Sequence, residues 1–116
     1  MGIGVGIVKQ ELSYDLSAAN FTWSLRDSSN KDTRVARIVH GVYFRFTTKA
    51  SKTVEIVHTI TKDAVEYSFF IERKKLPSQT QWVWHQALEL PGNVNITINV
   101  FKTTSACSMN MVVIGK

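Results

Sequence analysis

The sequence predicts an all-β protein, a single antiparallel β-sandwich or jelly-roll-like domain of about seven to eight strands. Two observations carry this prediction. Short segments alternate apolar and polar residues, and turn-forming residues separate them at intervals of about 8 to 12 positions. No stretch shows the periodicity of an amphipathic helix, and a chain of 116 residues has room for one core.

The clearest strands are the last two. Residues 93–101, NVNITINVF, place four apolar side chains on one face, and residues 107–113 do the same. If residues 102–105 form a turn, the facing pairs are Val100 with Cys107, Ile98 with Met109, Ile96 with Met111 and Val94 with Val113. We therefore expect a closing β-hairpin whose apolar face belongs to the core.

A second hairpin is predicted in the middle of the chain. Residues 54–60 and 65–71 both alternate, and a turn at residues 61–64 would pair Ile60 with Val65 and His58 with Tyr67. In this register Val65, Tyr67, Phe69 and Ile71 point inward. The segment before it, residues 35–47, is a long strand in which Gly41 favours a bulge or bend that would carry the strand between two sheets.

The N-terminal residues 1–12 are predicted to form an extended arm, and residues 13–116 the sandwich. Glycine alternates with apolar residues at the start of this arm, and glycine weakens an isolated strand, so we expect a neighbouring molecule to hold it. The arm residues predicted to lie in an interface are Gly2, Ile3, Gly4, Val5, Gly6 and Ile7.

Charge and cysteine content restrict the function. Lysine and arginine exceed aspartate and glutamate by 14 to 9, a net charge of +5, but the basic residues are spread along the chain. Their one run is Arg73, Lys74 and Lys75. This distribution favours a solvated surface over a nucleic-acid site, and the run itself could contact an acidic protein surface. The single cysteine, the lack of an export signal and the lack of a long apolar stretch predict synthesis in a cytoplasm and no membrane partner.

No group of residues suggests chemistry. His40, His58, His85 and Cys107 lack the short paired spacing of zinc sites, and no serine stands in a nucleophile elbow. His58, opposite Tyr67 in the predicted register, is expected to be a core histidine bonded to a neighbour. We predict no catalytic residues, no metal and no cofactor, and hence no enzyme.

Two polar or aromatic sets remain. Trp82 and Trp84 share one face of a strand and either pack in the core or stack on a sugar. Asn95, Thr97 and Asn99 form an uncharged outer face, which suits a subunit interface or a carbohydrate surface.

The last sixty residues resemble a recurrent pattern in small virion proteins of tailed bacteriophages. The matching pieces are TVEI at 53–56, WVW at 82–84, LELPG at 88–92, ITINV at 96–100 and MVVIGK at 111–116. At the position of WVW the pattern has an aromatic residue beside valine or tryptophan, so the pairing of two tryptophans has no counterpart in it, and neither has the glycine-rich arm.

The resemblance implies a structural protein of a virion, made in the host cytoplasm and assembled as a trimer or ring. Within that class we expect a capsid decoration (cement) protein whose partner is the major capsid protein or another virion protein. The alternatives are a lectin-like or fibre module that binds glycans through Trp82 and Trp84, and a single-stranded nucleic-acid binder with strong salt dependence.

Overall fold

The structure, a computed structural model, describes residues 6–26, 36–85 and 88–116, and within these ranges the chain forms nine β-strands. Their bounds are β1 Gly6–Asp15, β2 Phe21–Ser24, β3 Arg37–Phe46, β4 Lys52–Lys62, β5 Val65–Leu76, β6 Gln81–Trp84, β7 Leu88–Leu90, β8 Val94–Val100 and β9 Ser108–Gly115. The predicted arm residues Gly2, Ile3, Gly4 and Val5 lie outside the described ranges.

The strands form two antiparallel sheets. One has the order β1-β9-β3-β6, with β7 also paired to β3, and the other has the order β2-β8-β4-β5. The pairing is nested along the chain: β1 with β9, β2 with β8, β3 with β6 and β7, and β4 with β5. This nesting of antiparallel pairs is the double Greek key of a jelly roll, so the predicted fold class is confirmed.

The two last strands lie in different sheets, and the predicted closing hairpin is therefore wrong. β8 pairs with β2 and β4, whereas β9 pairs with β1 and β3. The alternating pattern did identify the buried faces: Ile96, Ile98, Val100, Cys107, Met109, Met111 and Val113 are all in the core. An alternating pattern shows which face of a strand is buried. It does not show whether two such strands are neighbours in one sheet or lie in opposite sheets of a sandwich.

The N-terminal segment is an edge strand of its own molecule. β1 pairs with β9 from Gly6 opposite Gly115 to Asp15 opposite Ser108, with two irregularities in register. This strand runs through residue 12, so the predicted boundary between arm and sandwich is not a break in the structure. A ladder with β9 supplies the support that a glycine-containing strand requires.

The long strand β3 stays in one sheet throughout, contrary to the predicted passage between sheets. A register shift against β9 does occur between Val39 and Gly41, so the bulge was located correctly. At the chain end, a Cβ added to Gly115 would lie 2.1 Å from the backbone oxygen of Ile38. Only glycine fits where β9 approaches β3 so closely.

The β4–β5 hairpin is present, but its register differs from the predicted one. Lys62 pairs with Val65 and Ile60 with Tyr67, so the loop has two residues, Asp63 and Ala64, instead of four. Both loop residues have positive φ, 53° and 63°, as a type I′ turn requires. Neither residue is glycine or asparagine, which is why the sequence carried no clear signal for this tight turn.

Replacing Ala64 with glycine should stabilise the protein by about 1 kcal/mol, because a left-handed conformation costs alanine roughly that amount. Urea unfolding would measure the gain. The matched control is Ala18→Gly, at an exposed turn position outside the positive-φ set, where no gain is expected. Equal effects of the two substitutions would contradict the type I′ turn.

Candidate interaction surfaces

The predicted amide face lies on the outside of the sheet β2-β8-β4-β5, and its polar groups bind within the chain. Thr22 Oγ1 donates to Asn99 Oδ1 at 2.9 Å, and Asn99 Nδ2 donates to Glu55 Oε1 at 3.3 Å. Ser24 Oγ and Thr97 Oγ1 are 2.7 Å apart. These contacts follow the strand registers across the sheet, so the uncharged composition of this face has an intramolecular explanation.

The third member of this face is satisfied in the same way. Asn95 Oδ1 accepts from the backbone N–H of Arg26 at 2.9 Å, and Asn95 Nδ2 donates to the Arg26 carbonyl at 3.1 Å. These two bonds attach the segment after β2 to β8. The reason for expecting a partner at Asn95, Thr97 and Asn99 is thereby weakened, because their polar groups are already hydrogen-bonded.

The basic run lies at the end of β5, the outer strand of the same sheet. Arg73, Lys74 and Lys75 pair with Glu55, Val54 and Thr53 of β4 and are exposed. Arg73 forms an ion pair with Glu55, with Nη2 2.6 Å from Oε2. Successive residues of a strand point to opposite faces, so the three charges line the sheet edge and do not form a patch on one face.

The two tryptophans point into the core. Trp84 is 3% exposed, and its indole nitrogen donates to Glu72 Oε2 at 2.5 Å. Trp82 is half-buried and stacks on Phe44, with ring centroids 5.5 Å apart. Of the two predicted roles, core packing therefore applies to Trp84, whose ring is not free to stack on a sugar.

A groove lies on the outer face of the sheet β1-β9-β3-β6; we call it the outer groove. Its volume is about 380 Å³ and its lining residues are Leu12, Tyr43, Phe44, Arg45, Gln81, Val83, Asn110 and Val112. Leu12 is 61% exposed, Val83 45% and Tyr43 41%. Exposed apolar side chains that adjoin one another are typical of interaction sites.

Strand register assembles the outer groove in two rows. Val83, Tyr43 and Val112 are directly paired across β6, β3 and β9, and Gln81, Arg45 and Asn110 form the next such row. The sequence pattern alone did not reveal this site. Alternation was the available signal: Val42, Phe44 and Phe46 are buried, so Tyr43 and Arg45, which lie between them, face outward.

β5 carries a second set of exposed apolar side chains: Val65, Tyr67, Phe69 and Ile71 are 48–56% exposed. We call this set the β5 apolar row. In the predicted hairpin register these residues point inward, and that prediction is wrong. Two features account for this exposure. A bulge in β5 opposite His58 and Thr59 shifts the alternation, so that Ile71 pairs with Val57. Val65 and Tyr67 lie near the hairpin turn at the end of the sheet.

His58 is a core histidine, as predicted, although it lies opposite Phe70 and not Tyr67. Its ring makes edge contacts with Phe69 and Trp84, with centroids 6.0 and 6.1 Å away. Burial lowers the pKa of His58 below its ordinary value of 6.5, and the carboxylate of Glu72 opposes part of this shift. The neutral imidazole is therefore the form that suits the folded core.

Lys52 is the other buried basic side chain. Its Nζ donates to the carbonyls of Gln79 and Thr48, at 2.7 and 3.2 Å, and lies 4.5 Å from the Phe46 ring centroid. Burial lowers the pKa of Lys52. These contacts join the segments on either side of β4 and β5, which is a structural role.

Within residues 6–26, 36–85 and 88–116, no group of three or more His, Cys, Asp or Glu residues is placed to hold a metal ion. The same ranges contain no helix long and apolar enough to cross a membrane. Comparison with protein-family models, curated proteins and solved structures gives no match.

The buried His58 predicts a pH dependence of stability. Its pKa in the folded chain is below that of the unfolded chain, so below about pH 6.5 the unfolded state takes up the proton first. The free energy of unfolding should therefore fall as the pH decreases from about 7.5 to about 5.5, with a His58 contribution of at most about 1.4 kcal/mol per pH unit.

Urea unfolding of His58→Gln over this pH range should show a weaker decrease than the unaltered protein. His85→Gln, at an exposed position, is the control and should retain the full decrease. An identical pH dependence in His58→Gln and the unaltered protein would contradict the assigned burial of His58.

Proposed function

We propose that the chain is a non-enzymatic structural protein of a bacteriophage virion, a capsid decoration (cement) protein that bridges neighbouring shell subunits. The observation that carries the proposal is the outer groove, where Leu12, Tyr43 and Val83 expose apolar area on one face of a jelly roll. Jelly rolls occur in viral capsid and lectin domains. The resemblance of the last sixty residues to small phage virion proteins supports the first of these two classes.

The proposed activity is the burial of surface. A shell subunit seated in the outer groove would cover its apolar row, with Arg45 and Asn110 meeting polar groups at the side. The net charge of +5 favours an acidic partner surface. Because the protein would bind the assembled shell and not its separated subunits, binding stabilises the shell by mass action.

The remaining parts of the proposal come from the resemblance. The protein would be made in the host cytoplasm, take its place in the virion, and assemble as a trimer or ring. Gly6 and Ile7 are in β1, next to β9, and the Ile7 side chain is 60% exposed, so it remains available to a partner.

A carbohydrate-binding function is the second candidate, and one observation favours it. Tyr43 presents an exposed ring in the outer groove, and the neighbouring row contains Asn110, Gln81 and Arg45, whose side chains suit sugar hydroxyls. A glycan would then bind in the outer groove, in contrast to the predicted site at Trp82 and Trp84.

Val83→Lys should weaken binding to phage shells prepared without this protein by at least about tenfold, because it puts a charge where apolar area is to be buried. Cosedimentation with the shells would measure this. Thr104→Lys, in the exposed connection between β8 and β9, should bind like the unaltered protein.

Unchanged occupancy of Val83→Lys would contradict the outer groove as the shell-binding surface, and failure of the unaltered protein to bind shells would contradict the decoration role. The carbohydrate alternative predicts a saturable fluorescence change with host surface polysaccharide that Tyr43→Ala abolishes.

A further inference from the structure

The strand β5 presents a long open edge. It has 12 residues, and within the described part of the chain it pairs only with β4, at the end of its sheet. The opposite edge strand of that sheet, β2, has 4 residues. An edge strand offers a row of backbone N–H and C=O groups to any strand that aligns with it, and proteins usually shorten or protect such edges.

Exposed apolar side chains lie along the half of this edge that follows the hairpin turn. The β5 apolar row, Val65 to Ile71, is about half exposed and is interrupted by one charged residue, Glu66, whereas the other charged residues of the strand, Glu72 and the basic run, lie at its far end. An edge with this composition is suited to covering by another strand.

We infer that β5 pairs antiparallel with β5 of a second copy of this chain, forming a two-fold dimer with a continuous eight-stranded sheet. The inference deepens the oligomeric part of the proposed function, but it rests on a different surface from the outer groove. Full alignment would add about one backbone hydrogen bond per paired residue.

Charge complementarity identifies the second copy as the occupant. If the two-fold axis passes near residues 68–70, the basic run of one copy lies beside residues 63–67 of the other, the hairpin turn and the start of β5. That stretch contains Asp63 and Glu66 and no basic side chain. The exposed apolar side chains of the two copies then lie beside each other near the axis, where Tyr67 and Phe69 are closest to it, and opposed apolar and oppositely charged pairs both stabilise an antiparallel ladder.

The symmetry follows from the pairing. Antiparallel self-pairing uses the same surface on both copies, so it closes with two subunits. A ring would therefore have an even number of subunits, built from such dimers, and the trimer implied by the resemblance would not form through this edge.

The mass of the full chain in solution, measured by sedimentation velocity over a range of concentrations, tests the inference. A dimer is expected. Phe69→Lys should weaken dimerisation by at least about tenfold, since it places a charge among the opposed apolar side chains. Val83→Lys, in the other sheet, should dimerise normally while losing shell binding, which separates this inference from the proposed function.

A cross-link locates the contact without destabilising the fold. Cys107 is buried, so a single introduced thiol reports its own position. Two copies of Ser68→Cys would lie about 5–15 Å apart across the axis and should be joined by a short bismaleimide. Gln10→Cys, exposed on β1 of the other sheet, should remain uncoupled.

A monomeric or trimeric mass would overturn the inference. So would a dimer that Phe69→Lys leaves intact while the variant is folded by circular dichroism, or a dimer in which Ser68→Cys does not cross-link. Association of β5 with a shell protein in place of a second copy would appear as a monomer that Phe69→Lys releases from shells, and this result also overturns it.

Discussion

The burial of the apolar faces of β8 and β9 in one core between the two sheets is the constraint on which the rest of the structure depends. Ile96, Ile98 and Val100 on one strand and Met109, Met111 and Val113 on the other are fully buried. Each strand lies in the interior of its sheet, with a partner on both sides. The chain must therefore cross from one sheet to the other within residues 101–107.

Leu16 fixes this crossing. Its N–H donates to the Cys107 carbonyl at 2.9 Å, its carbonyl accepts from the Thr103 N–H at 3.0 Å, and its side chain is fully buried. The turn between β1 and β2 is thus attached to the connection between β8 and β9. β1 pairs with β9 in one sheet and β2 with β8 in the other, so each of these two connections joins one sheet to the other. The nested pairing of the remaining strands completes the jelly roll.

This arrangement gives the two outer faces different properties. On the sheet β2-β8-β4-β5, hydrogen bonds among Thr22, Asn99 and Glu55 use the polar groups within the chain. On the other sheet, Tyr43 and Val83 leave apolar area exposed beside Arg45. The surface available to a partner is therefore the outer groove and the open edge at β5, and neither coincides with the amide face that the sequence favoured.

The alternation of apolar and polar residues explains which of these features could be predicted from the sequence. It identified the buried faces of β8 and β9, the core role of His58 and the bulge near Gly41, since each depends on a local pattern. It did not identify the strands that pair with β8, because the apolar face of a strand has the same alternating pattern in either sheet. The exposure of Ile71 depends on a bulge, which has no local signature. The outer groove joins residues of four strands that are distant in sequence, so alternation could place Tyr43 and Arg45 on the outer face but could not show the groove.

Backbone NOEs between strands, measured by NMR on the labelled protein, test the separation of β8 and β9 most directly. The account predicts cross-strand contacts from Ile98 to Ile56 and Trp23, and from Met109 to Tyr14 and Phe46, in line with the registers of the two sheets. A ladder of backbone contacts joining Ile98 to Met109 and Ile96 to Met111 would show a closing hairpin and contradict the fold described.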